Sequence, residues 1–95
     1  MAANPADKWK VKTRPEAQRG LDELPDPVRA EALDAIEDLT YDPFPADSIL
    51  MRGYSSRRRI KFYGNQYRLI YDVSEKQETI QIVRVGHRRD VYRGQ

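Results

Sequence analysis

Lys8 to Thr13 alternates strictly, with Lys8, Lys10 and Lys12 on one side and Trp9, Val11 and Thr13 on the other. A period of two predicts a half-buried strand. Thr13 stands three residues before Glu16, the spacing of a helix-opening capping box. Ala17, Leu21 and Leu24 then recur at helical intervals until Pro25 stops the helix. A second helix is predicted from Asp26 as its cap, with Pro27 in the first turn, where the missing N–H does no harm. Val28, Ala32, Ala35, Ile36 and Leu39 line one face of it, and Arg29, Glu31, Asp34, Glu37 and Asp38 the other. Asp42-Pro43 ends it, because a residue before proline disfavours the helical region. Residues 43–48, with two prolines, read as a loop.

From Leu50 the period returns to two. Arg57 to Tyr63, Tyr67 to Ser74 and Thr79 to Val85 are predicted strands, rich in β-branched and aromatic residues. Gly64-Asn65 and Glu75-Lys76 supply the turns between them. Connections this short make antiparallel neighbours. The whole is β-α-α-β-β-β, class α+β: two N-terminal helices packed on one face of a small, mainly antiparallel sheet.

Ninety-five residues without repeat, linker or low-complexity tract make one domain, 1–95, with 1–7 expected to be loose. Six tyrosines, two phenylalanines and a tryptophan argue against disorder despite 34% charged residues. No apolar run could span a bilayer, and no apolar core marks the N-terminus as a secretory leader. The chain therefore reads as cytoplasmic. Zero cysteines remove disulfides, thiolate metal sites and thiol nucleophiles, and a single histidine removes multi-histidine sites.

The net charge of +2 conceals an asymmetry. Residues 1–50 carry six Lys/Arg against eleven Asp/Glu, formally −5, while residues 51–95 carry eleven against four, formally +7. The second half is suited to a polyanion. Alternation places Arg57, Arg59, Lys61 and Tyr63 on one side of their strand and Ile60 and Phe62 on the other. With Ile60, Phe62, Leu69 and Tyr71 under the helices, Arg59, Lys61 and Arg68 converge on the open face. Cations beside tyrosine rings suit single-stranded RNA, phosphates on the charges and bases on the rings. A solvated edge strand whose charges merely discourage aggregation has the same pattern. After the last strand come Gly86-His87-Arg88-Arg89-Asp90-Val91-Tyr92. His87 is open to proton transfer near neutrality. Ser55 and Ser56 have no His/Asp context for a hydrolase triad, and Asp90 reads as a partner for a neighbouring arginine.

Leu50-Met51-Arg52-Gly53, Arg59-Ile60-Lys61, Tyr67-Arg68-Leu69-Ile70-Tyr71, Val85-Gly86-His87-Arg88 and Asp90-Val91-Tyr92 together resemble the RelE/ParE superfamily of bacterial toxins. The RelE-type branch, ribosome-dependent mRNA endoribonucleases, is the nearer pattern. The resemblance implies attack of the mRNA 2′-OH on the adjacent phosphate, without a metal or other cofactor. It implies a cognate antitoxin, mRNA in the ribosomal A site and the ribosome as partners, no membrane, and DNA only through the antitoxin. The catalytic set carried over is Arg59, Lys61, Arg68, Arg88 and Tyr92, with His87 the rival of Arg88 as general acid. Arg57, Arg58, Tyr63 and Arg89 are expected to add RNA contacts. Where the best-known relative has lysine, Arg59 serves as a charge clamp, since a guanidinium does not readily lose its proton. Lys61 then serves as base, provided that the clustered positive charge loosens its proton. The ParE branch shares the fold but inhibits DNA gyrase by protein contact and usually lacks this residue set. A catalytically inactive RNA-binding relative is the third reading.

Overall fold

The computed structural model describes residues 8–92. Its elements run β1 (Lys10–Thr13), α1 (Pro15–Asp22), α2 (Asp26–Tyr41), β2 (Ile49–Leu50), β3 (Arg57–Phe62), β4 (Tyr67–Ser74) and β5 (Thr79–His87). One five-stranded sheet has the order β1-β5-β4-β3-β2, with β1 parallel to β5 and every other pair antiparallel. This is the expected α+β architecture with one strand added, the two-residue β2, which pairs with Arg58 and Arg59.

Both helices begin differently from the sequence expectation. Arg14 N–H donates to the Ile82 carbonyl at 3.0 Å, so the β1 ladder runs past Thr13. The cap position therefore falls on extended Arg14, with no side-chain cap, and the capping box is not made. Pro25 holds the cap position of α2. The Asp26 carboxylate instead accepts from Arg29 at 2.5 Å. The end of α2 is as expected, with Asp42 extended before Pro43.

The core lies between the helices and one sheet face. Val28, Ala32 and Leu39 from α2 meet Ile60, Phe62, Leu69, Tyr71, Ile80, Ile82 and Val85. Each large side chain removed from water there contributes about 1.5–3 kcal/mol. Tyr71, fully buried, donates its hydroxyl to the Pro43 carbonyl at 2.9 Å and ties the loop after α2 to the sheet. Burial pushes its ionisation up from the ordinary value. Gly20 is required where α1 crosses β5, because a Cβ there would collide with the backbone carbonyl of Val85. β1 is exposed along its whole length rather than half-buried, since it is a sheet edge; Trp9, just before it, packs on the core instead.

The opposite sheet face is not fully open. Ile70, Val83 and Val91 form a second, smaller cluster, with Met51 packed against it. A bulge makes it possible. Ile70 pairs with Arg84 and Tyr71 with Ile82, so Val83 is an extra residue on β5. Ile82 and Val85, three apart, consequently both reach the helix-covered core.

Candidate nucleic-acid interface

The register of β3 and β4 sets Lys61 directly opposite Arg68, and Arg59 opposite Ile70. Arg59, Lys61 and Arg68 thus share the face away from the helices, as alternation predicts. None of the three has a carboxylate partner within 4.0 Å among the described residues. Like charges directly opposed across a ladder oppose folding. A solvated edge does not require that juxtaposition; a bound polyanion would relieve it.

Arg68 departs from the expectation of a side chain standing on an open face. It is 8% exposed. Its Nη1 donates to the carbonyls of Asn65 (3.0 Å) and Tyr67 (3.2 Å), and its Nη2 to Asn65 Oδ1 (3.0 Å). Its Nε is buried and meets no acceptor among the described residues. A buried donor left unpaired costs about 1–3 kcal/mol. The Asn65 acceptors are in place because Tyr63 and Gly64 both take positive φ, 52° and 66°, in the tight β3–β4 turn. Sequence reading assigns Asn65 to turn chemistry alone; nothing in the strand pattern marks it as a neighbour of the Arg68 guanidinium.

The flanking cations and Tyr63 divide differently from the expectation that they share the RNA face. Arg57 grips Asp72 side-on, Nε to Oδ1 at 2.7 Å and Nη2 to Oδ2 at 2.9 Å, and stacks on the Tyr54 ring at 4.6 Å. The Asp72 carboxylate raises the Arg57 pKa further above its ordinary value. That cation is neutralised within the fold. Arg58 points to the helix side, bonding Ser48 Oγ at 3.0 Å and lying over Phe44 at 5.4 Å. Tyr63 leaves the strand through its positive φ and packs on the main core, edge-on to Tyr67 with ring centroids 6.1 Å apart. Its backbone N–H goes to Glu31 at 2.7 Å.

The C-terminal turn borders the same end of the sheet. His87 is the last residue of β5 rather than a loop residue, and its ring lies edge-on to Tyr67 at 5.3 Å. Its carbonyl accepts from the N–H groups of Asp90 and Val91, both at 2.9 Å. Its Nδ1 accepts from Arg89 N–H at 3.2 Å, so the neutral ring carries its proton on Nε2. Arg88 N–H donates to the Gln66 carbonyl at 2.8 Å, which brings the turn beside the β3–β4 connection holding Arg68. The Arg88 and Arg89 side chains are exposed. Val91 is buried in the second cluster, and Tyr92, 38% exposed, follows it. A cleft of about 480 Å³ between α1 and the end of β5 is lined by Glu16, Arg19, Tyr67, Arg84 and His87, among others.

Two N-terminal helices on a mixed five-stranded sheet, with a cation row at the turn end of its other face, define a RelE-like toxin fold. Residues 11–92 match the model of the ParE toxin of type II toxin-antitoxin systems, and the chain belongs to that family, within the RelE/ParE superfamily. It is 36% identical over 81 residues to toxin RelG of Mycobacterium tuberculosis, covering 81% of this chain and 87% of the relative. Among solved structures it resembles the toxin-antitoxin complex RelBE2 of the same organism, with a TM-score of 0.71, 28% identity and 85% and 99% of the two chains covered. The archaeal RelE-RelB complex of Pyrococcus horikoshii gives a TM-score of 0.75, 26% identity and 88% and 99% coverage. The isolated Escherichia coli RelE toxin shares the fold, with a TM-score of 0.74, 22% identity and 83% of each chain covered.

Proposed function

We propose that this toxin is a ribosome-dependent mRNA endoribonuclease. The observation that carries the reading is the opposition of Lys61 and Arg68 beside Arg59, with no carboxylate among the described residues to neutralise them. A fold that tolerates such repulsion at one place is keeping positive charge for something outside it.

In this reading the ribose 2′-oxygen bonds to the adjacent phosphorus and the bond to the 5′-oxygen breaks, leaving a 2′,3′-cyclic phosphate and a 5′-hydroxyl. Lys61, exposed on β3, is the group that receives the 2′-OH proton. Arg59 and Arg68 stabilise the charge that grows on the phosphoryl oxygens. Arg88 is the general acid that the family resemblance assigns to the leaving 5′-oxygen, with His87, which would act as its imidazolium, the rival. Tyr92 stacks on the base beside the cut and Arg89 adds a phosphate contact. Arg57 and Arg58 drop out of the RNA set, because both are occupied within the fold. The mRNA is presented in the ribosomal A site. Relatives captured as toxin-antitoxin complexes support a cognate antitoxin, whose acidic and apolar side chains would cover this face.

Primer extension on cellular mRNA after induction, repeated on naked mRNA with and without ribosomes, tests the proposal. Cuts are expected only with ribosomes, and Arg59→Ala, Lys61→Ala and Arg88→Ala are each expected to lose them. If all three variants arrest growth like the parent and no mRNA is cut in any, the toxin acts by protein contact instead, as the ParE name of its family model would suggest.

A further inference from the structure

We infer that Asn65 is a positioning residue that turns one particular edge of the Arg68 guanidinium, Nε with Nη2, toward the phosphate of the bound nucleic acid. The inference deepens the nuclease reading and rests on it only for the identity of the ligand.

A guanidinium has five N–H groups distributed over two forked edges and one single donor. Asn65 supplies two acceptors from one residue, its carbonyl to Nη1 and its Oδ1 to Nη2, and so closes the fork between the two terminal nitrogens. The second Nη1 proton goes to the Tyr67 carbonyl. Two donors are left, Nε–H and the Nη2 proton beside it, and they make the side-on fork. Arg57, on the same face, shows what that edge is for: its Nε and Nη2 hold both oxygens of Asp72. Arg68 has the same pair of donors with no oxygens in it, and Nε is buried without an acceptor among the described residues, so a ligand reaches it only by displacing what covers it. Its residue is more than nine-tenths buried, so the side chain cannot swing freely to choose another edge.

The ligand class follows from the donors. Two parallel N–H groups on a fixed cation match two oxygens on one centre, a carboxylate or a phosphodiester. Lys61 opposite and Arg59 on the same face favour the group embedded in a polyanion, which is the phosphodiester. Asn65 acts through Arg68 and need not touch the substrate. An aspartate there could accept the same hydrogen bonds but would cancel the charge that the ligand requires.

The test uses ¹⁵N-labelled full-length protein and the Arg68 Nε–H resonance, identified by its loss in Arg68→Lys. The probe is a 2′-deoxy dinucleotide, which carries the phosphodiester but cannot be cleaved. Saturable movement of the Arg68 Nε–H signal is expected, with affinity about tenfold weaker in Asn65→Ala, the scale of one charge-assisted bond. In Asn65→Asp the signal should stay at its parent position without ligand yet fail to respond to the dinucleotide. A merely structural Asn65 would give the opposite order, with Asp binding as well as the parent. Binding that moves Lys61 or Arg59 signals but leaves Arg68 Nε–H still overturns the inference, as does equal affinity in Asn65→Ala or no binding by the folded parent. RNA cleavage is scored separately on ribosomes. A parent that binds through Arg68 Nε but cuts no mRNA keeps this inference and removes the nuclease; the converse result removes only the inference.

Discussion

Replacing Lys61 by glutamate is expected to stabilise the fold and end its activity at once. Lys61 and Arg68 are directly opposed in an antiparallel ladder, where facing Cβ atoms lie about 4.5–5.5 Å apart. Like charges there oppose folding and opposite charges favour it, by roughly 0.2–1 kcal/mol in each direction. Lys61 is exposed, so the solvent-screened half of that range applies. Reversing its sign should then add about 0.4–1.2 kcal/mol. For a chain of this length that is a rise of about 2–10 °C in Tm. Lysine and glutamate are both weak strand formers, so strand propensity contributes little to the difference. Urea unfolding at low salt should show a higher midpoint at unchanged slope, with Lys61→Gln falling between. Near 1 M salt, where screening acts over about 3 Å, the gap should shrink. A Lys61→Glu variant less stable than the parent at low salt, or a gap indifferent to salt, would mean that the two charges do not meet. The repulsion between Lys61 and Arg68 would then be absent.

Gly20→Ala sets about 1 kcal/mol of helix propensity against a Cβ driven into the Val85 carbonyl, which cannot rotate aside. Overpacking costs about 1–3 kcal/mol, so a lower Tm is expected, and an unchanged or higher one would show that α1 does not approach β5 as described. Tyr71 has its ionisation raised by burial, so its hydroxyl stays neutral in the folded state at pH values where the unfolded chain ionises. Its contribution to stability is complete below the ordinary value of 10.0 and is lost as pH rises through the raised one. Urea midpoints followed from about pH 8 to about pH 11 should therefore fall toward the alkaline end for the parent. Tyr71→Phe should flatten that fall and cost about 0.5–1.5 kcal/mol at neutrality for the bond to Pro43. RNA affinity should decline with salt at a log–log slope of about −3, from four phosphate-facing cations, Arg59, Lys61, Arg68 and Arg89, at about 0.7 each. Arg57→Ala should leave that slope alone because Asp72 already neutralises Arg57, and a slope reduced by the full increment would return Arg57 to the interface.

Alternation and punctuation made most of this fold legible. The apolar face of α2, the Gly64-Asn65 turn, the β4 boundaries and the shared face of Arg59, Lys61 and Arg68 all follow from local period. What was not legible depends on residues brought together from a distance. A two-residue strand such as β2 has no period to read. Strand alternation gives the face of Arg68 but not its depth, which the turn geometry at Tyr63–Gly64 and the acceptors on Asn65 determine. Lysines and arginines look alike in a charge run, yet Asp72 removes Arg57 and Ser48 engages Arg58. The bulge at Ile70/Tyr71 breaks the very alternation by which β5 was read, and β5 continues to His87 as a result of pairing with Tyr67.

The central claim is that the unneutralised cation row cuts RNA by means of the substrate's own 2′-OH. Its most direct measurement is single-turnover cleavage by the purified toxin of end-labelled mRNA bound to ribosomes, with the product termini identified. The expected result is one predominant cut leaving a 2′,3′-cyclic phosphate and a 5′-hydroxyl, abolished by a single 2′-deoxy substitution at the nucleotide before the cut. Intact mRNA under these conditions, or equal cleavage of the 2′-deoxy substrate, would contradict it.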